Sequence, residues 1–198
     1  MPMFPASFDR LCMEASTGDA LIFGGRPLAG ITVERFTKSK QSHCAPIIRD
    51  KDNLYCPESL GRGMNMSPLE KTFFHWPRVW WLHPRDRLFT PPAEALAEKV
   101  CQERVPYDYR ALLLYYRGIR PPEDMTHLYC SEWLALFLRT SGVTLPTISL
   151  TPIETCMMAV WQPQYWCIRF KRREGPLEIR DFNTLDPTVP LLSKPRVK

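Results

Sequence analysis

The chain has 198 residues, 44% of them apolar, enough for one ordinary domain with a proper core. Its net charge of +5, from 26 basic and 21 acidic residues, is a mild excess, and its clearest basic run, Arg169 to Arg173, is no longer than a solvated strand end. No zinc-finger spacing, Walker loop or Gly-rich dinucleotide motif occurs, so no nucleic-acid partner, metal or cofactor is expected.

Seven cysteines stand at 12, 44, 56, 101, 130, 156 and 167, an odd number with no CxxC pair. That pattern argues against a disulfide framework and for synthesis in a reducing compartment. The opening MPMFPASFDRLC has no basic region followed by an apolar run, and no apolar stretch reaches the roughly 18 residues of a membrane span. The expectation is cytoplasmic synthesis without a signal peptide, with delivery elsewhere, for instance inside a phage particle, left to another system. The 20 prolines cluster at turns and near the C-terminus. They suggest a single loop-rich domain over 1–185, with an aromatic-rich insert at about 62–92 and an extended tail over 186–198 available for docking to a larger assembly.

In chain order, the pattern predicts a short amphipathic helix over Phe8–Ala15, a turn at Ser16–Asp19 and a buried strand over Ala20–Phe23. A strand is also expected within Ile31–Phe36. Ser42–Arg49 reads as one strand, Asp50–Asn53 as a hairpin turn, and Leu54–Ser59 as the antiparallel return, closed by Gly61 and Gly63. A polar connector then leads to a strand over Val79–Leu82. Pro91 and Pro92 open a helix over Ala93–Arg104, and Tyr107–Tyr116 forms the next. Ser131–Thr140 carries the widest apolar surface of any helix and is stopped by Gly142. Thr151–Glu154 looks like a capping box, and Tyr165–Lys171 reads as a last strand. Strands first, helices next and one late strand make an α+β pattern.

Thiol catalysis needs a thiolate, a base beside it and a polar group that orients the base. A helix N-terminus stabilises a thiolate through its unpaired N–H groups and its dipole. Cys130 immediately precedes the apolar helix and is the one cysteine so placed; Cys12, Cys44, Cys101, Cys156 and Cys167 read as buried filler. The candidate bases are His43, His75, His83 and His127. His43 opens a strand, and Glu58 stands on the strand that returns from the hairpin. Their separations from the turn, 50 − 43 = 7 and 58 − 53 = 5, are similar, and neighbouring strands lie roughly 5 Å apart, within reach of a carboxylate–imidazole contact. His75 and His83 read as packing residues and His127 as exposed. Glu132 reads as a helix-start carboxylate, and Asp19 as the residue that shapes its turn.

Two passages, Gly18 to Phe23 (GDALIF) and Ser42 to Ile48 (SHCAPII), resemble the GDxxxF and SHxGxxx passages of NlpC/P60-type papain-like hydrolases. The helix beginning Tyr129-Cys-Ser-Glu-Trp-Leu134 follows these passages instead of preceding them. That order resembles the circularly permuted YiiX/YebB-like branch. Val105 to Tyr109 (VPYDY) is similar to that branch's YD segment. The resemblance covers about Gly18 to Phe170 and departs from the family at Ala45-Pro46, where a glycine is common, and in the insert. It implies a permuted papain-like fold and a thiol hydrolase. Cys130 would attack a carbonyl, His43 hold the proton and Glu58 orient His43. The Cys130 backbone N–H would meet the oxyanion, with Tyr107 as a further donor. A peptide amide, as in peptidoglycan, is the favoured substrate. The alternatives are hydrolysis or transfer of acyl groups or lipids, with the aromatic insert holding an acyl chain, and a non-catalytic adaptor that kept the fold.

Overall fold

The computed structural model describes residues 8–25, 41–84, 88–120, 124–145, 147 and 154, and the backbone of a strand over 165–171. Helix α1 (Phe8–Glu14) leads into β1 (Ala20–Gly24). Strands β2 (His43–Pro46), β3 (Ile48–Asp50), β4 (Asn53–Leu60) and β5 (Gly63–Pro68) follow, then α2 (Leu69–His75) and β6 (Arg78–Pro84). The remainder is α3 (Pro91–Gln102), α4 (Tyr109–Tyr116), α5 (Cys130–Thr140) and β7 (Tyr165–Lys171). The architecture is α+β with two small antiparallel sheets, ordered β2-β1-β6-β7 and β3-β4-β5.

Strands β1, β2 and β6 of the larger sheet are buried on both faces. Side chains alternate across a strand, and here both sets are apolar. Ala20, Ile22, Cys44, Trp80 and Leu82 join a core with the buried faces of α3 and α5. Leu21, Phe23, Ala45, Ile47, Val79 and Trp81 join a second core with Leu11 of α1 and Leu69 and Phe73 of α2. This explains why β1 reads as an unbroken apolar run.

The expected single strand over Ser42–Arg49 is two strands in different sheets. Up to Pro46 the chain pairs with β1; from Ile48 it pairs with β4. Ile47 marks the change, its N–H donating to Asp19 O at 2.7 Å. Beyond it the Arg49 guanidinium is drawn to the end of α1, donating to Ala15 O at 2.8 Å and Cys12 O at 2.6 Å. The hairpin turn lies where expected, with Asp50 opposite Asn53 and Lys51 at φ 52°. The expected polar connector is instead β5 and α2. Met64-Asn-Met-Ser has little strand propensity and α2 is seven residues long, so tertiary pairing decides both. Helix α3 begins at Pro91 and ends at Gln102, earlier at both ends than the periodicity suggests, and α4 starts at Tyr109. Asp108 caps α4, its Oδ1 accepting from Ala111 N–H at 2.6 Å. The expected strand within 31–36, the 151–153 part of the capping box and the 186–198 tail lie outside the described residues.

Candidate active site

Helix α5 starts at Cys130, so the cysteine holds its first helical position. Tyr129 N–H donates to Glu132 Oε2 at 3.3 Å, which makes Glu132 a buried capping carboxylate. Two bonds tie this helix start to β4 on either side of Glu58. Trp133 Nε1 donates to Pro57 O at 2.6 Å, and Ser59 Oγ donates to Leu128 O. The strand that carries the carboxylate is thereby fixed against the helix that carries the thiol.

His43 begins β2 and lies directly opposite Phe23 of β1. Its ring stacks on Phe23 at 5.6 Å and on Trp76 at 5.3 Å, with interplanar angles of 24° and 15°. These two stacks hold the imidazole plane. Nε2 bonds Glu58 Oε2 at 3.0 Å, while Thr72 Oγ1 donates to Glu58 Oε1 at 3.0 Å. With Nε2 occupied, Nδ1 is the ring nitrogen left for the hydrogen bond that His43 makes with Cys130. Cys130, His43 and Glu58 are 4%, 5% and 4% exposed, so their charges interact with little solvent screening.

Burial alone would drive His43 towards neutrality. The negative charge of Cys130, the hydrogen bond to Cys130 and the Glu58 carboxylate outweigh it and push His43 up to about 10. Burial raises the Glu58 carboxyl. Against it, the His43 hydrogen bond and charge, with hydrogen bonds from Ser67 and Thr72, hold Glu58 below its ordinary range. Cys130 is held well below the usual thiol value. A hydrogen bond from the Cys44 thiol is the largest cause; burial opposes it, and the His43 charge and hydrogen bond and the Cys44 backbone N–H add to it. The directions of these shifts favour the charged forms, a Cys130 thiolate beside a His43 imidazolium with the Glu58 carboxylate behind it.

Tyr107 packs beside this group. Burial first, then the Cys130 charge, raises its phenol well above its ordinary value, so it remains a hydrogen-bond donor. His127 is exposed and bonds Thr126 Oγ1 at 3.0 Å. His75 sits edge-on to Trp76. Asp19 does more than shape its turn. Fully buried, it accepts from Trp81 Nε1 at 2.6 Å and pairs with His83 Nδ1 at 3.0 Å.

Sequence reasoning missed four contributors. Cys44 was assigned as filler, and a lone thiol in an apolar strand carries no contrary signal. Trp76, Ser67 and Thr72 lie in the insert, where nothing in the local pattern points at His43 or Glu58. Among the described residues, no group of three or more His, Cys, Asp or Glu side chains is arranged to hold a metal ion. No described helix is long and apolar enough to cross a membrane.

No protein-family model and no curated protein matches the chain. Five chains of known structure do. One is the crystal structure of metalloprotein yiiX from Escherichia coli O157:H7. It superposes with a TM-score of 0.53 at 17% identity, over 65% of this chain and 67% of that one. At that identity the likeness is one of fold. The neighbour is a YiiX/YebB-like protein, the branch whose motif order the sequence resembles.

Proposed function

We propose that the chain is a thiol hydrolase with a permuted papain-like arrangement, in which Cys130, His43 and Glu58 carry the reaction. The supporting observation is the continuous chain of hydrogen bonds from the Cys130 sulfur through His43 to Glu58, placed at the mouth of α5.

The Cys130 thiolate attacks the carbonyl carbon, and the carbonyl oxygen takes the negative charge. The Cys130 backbone N–H and the Tyr107 hydroxyl are the donors for that oxyanion. Imidazolium His43 gives its Nδ1 proton to the leaving nitrogen, the C–N bond breaks, and the acyl group remains on sulfur as a thioester. His43, now neutral, takes a proton from water as that water attacks the thioester. Collapse returns the Cys130 thiolate, the imidazolium and a free carboxylic acid. Glu58 keeps the ring oriented and stabilises its charged form throughout.

The favoured substrate is an amide in a peptide, with peptidoglycan the first to test. An acyl chain held by the insert has less support, because Trp76 is stacked on His43 and Trp80 and Trp81 are packed in the two cores. Digestion of purified peptidoglycan, with a panel of acyl esters in parallel, tests the choice. Cys130→Ala and His43→Ala should each abolish turnover with the fold retained. Wild-type turnover by either variant sinks the assignment. Unreactive Cys130 at neutral pH favours an adaptor.

A further inference from the structure

Cys44 is fully buried, next in sequence to His43, and in the same core as Cys130. Strand β2 is the outer strand of its sheet. The Ile47 N–H bonds inward, to Asp19 O. In an antiparallel ladder the inward N–H recurs every second residue, so within β2 Ala45 points to β1 and Cys44 and Pro46 point to the open edge; the alternation breaks just before the strand, where the Ser42 N–H also donates inward, to Phe23 O. Pro46 has no N–H there to satisfy, so the open edge accepts it. The Cys44 N–H does have one, and the start of α5 lies across that edge to receive it.

We propose that Cys44 is a positioning residue of this site: its thiol and its backbone N–H both donate to the Cys130 sulfur and hold it against His43. The thiol lies on the α5 side of β2, and the His43 ring stacks on the opposite side, against Phe23 and Trp76. The Cys130 sulfur thus meets β2 at its edge, with a donor from each face and one from the backbone between them. A thiol that hydrogen-bonds a neighbouring thiolate shares one negative charge with it. Cys130, at the helix mouth, is the better place for it, and Cys44 keeps its proton and donates it as a hydrogen bond. This inference rests on Cys130 being the nucleophile.

The test follows alkylation of Cys130 by iodoacetamide, peptide by peptide, across pH, in the full-length wild type and in Cys44→Ala, Cys44→Val and Cys44→Ser. Loss of one hydrogen bond to a charged group should move the acid limb of the Cys130 profile up by about one pH unit in the Ala and Val variants. Because a more basic thiolate is a stronger nucleophile, their plateau rate should rise roughly threefold per unit of that shift. Cys44→Ser, which retains a donor, should stay near wild type. Valine fills most of the volume of cysteine, so it serves if alanine unfolds. Ala and Val profiles that superpose on wild type overturn the proposal. So does a Ser variant that moves as far as they do, since the effect would then be one of packing. A wild-type Cys130 that reacts like an ordinary thiol, rising through its usual value of 9.0, refutes the hydrolase reading itself and is distinguishable from both.

Discussion

Replacing Glu58 by Gln removes a buried charge while keeping the side chain's shape, and its consequence is calculable. In the wild type the carboxylate accepts from His43 Nε2 at 3.0 Å and helps push that imidazole from 6.5 up to about 10. A hydrogen bond to a charged group contributes about 1.5–3 kcal/mol. At about 1.36 kcal/mol per pH unit, its loss should bring His43 down by roughly 1–2 units. Rapid alkylation of Cys130 should show, in the wild type, a low-pH inflection where the thiolate forms and a second near pH 10 where His43 loses its proton. In Glu58→Gln the second should fall to roughly pH 8–9. Unfolding in urea should report the same linkage. A raised His43 stabilises the fold fully below its unfolded value of 6.5, and that contribution is lost as pH rises through about 10. A depressed Glu58 stabilises above its unfolded value of 4.5, and its contribution is lost as pH falls through its lowered folded value. The variant should therefore lose its alkaline stability earlier and lack the Glu58 share of the acid-side dependence. An alkylation profile whose alkaline inflection is unmoved by Glu58→Gln would refute the reasoning.

Other perturbations test neighbouring parts of the structure. At pH 7 Cys130 should be alkylated faster than Cys101 and Cys56, because burial pushes Cys101 up to about 12 and Cys56 well above its ordinary value; mass spectrometry of each peptide checks the order. Asp19→Ala leaves the buried Trp81 N–H without its acceptor and removes the half-buried His83's partner, and urea unfolding should show a loss of about 2–4 kcal/mol. His83 is raised chiefly by its hydrogen bond to Asp19, so this penalty should be largest below pH 6.5 and shrink as pH rises through the folded His83 value. Gly63→Ala puts a Cβ 2.7 Å from Val105 O at φ +98°, and should cost about 2–4 kcal/mol in the same assay. The strain falls on the segment leading to Tyr107, so Cys130 reactivity should change with it.

The parts of the candidate site that local chemistry marks are legible in the sequence. Cys130 is marked by the apolar helix it opens, and α5 begins one residue before the expected Ser131. His43 and Glu58 were found by counting from one strong turn, although the count assumed a single ladder. In fact β2 and β4 belong to different sheets, and the two side chains meet because the chain changes sheets at Ile47. What was not legible is what other elements impose. The ring of Trp76 on His43 comes from the residue that ends α2, and the hydroxyls of Ser67 and Thr72 on Glu58 come from β5 and α2, whose own sequences favour neither a strand nor a helix strongly. Cys44 is legible only once its N–H is known to point outward.

These misses have a common cause, which also bears on the order of the chain. The thiol needs a helix N-terminus, the base needs an edge strand with a flat aromatic wall, and the carboxylate needs a strand tied to that helix. None of those requirements mentions which element comes first. Trp133 to Pro57 and Ser59 to Leu128 fasten α5 to β4, and the outward edge of β2 meets the start of α5. The position of the Cys130 helix relative to the strand that carries Glu58 is thus set by contacts between segments 69 or more residues apart. A chain that enters through β1 and reaches its cysteine late can present the same groups as one that begins with the cysteine helix. A chain order in which the cysteine comes last is therefore no obstacle to the proposed thiol chemistry, and the segment from Gly63 to Trp76 is where this chain builds the walls around its imidazole and carboxylate.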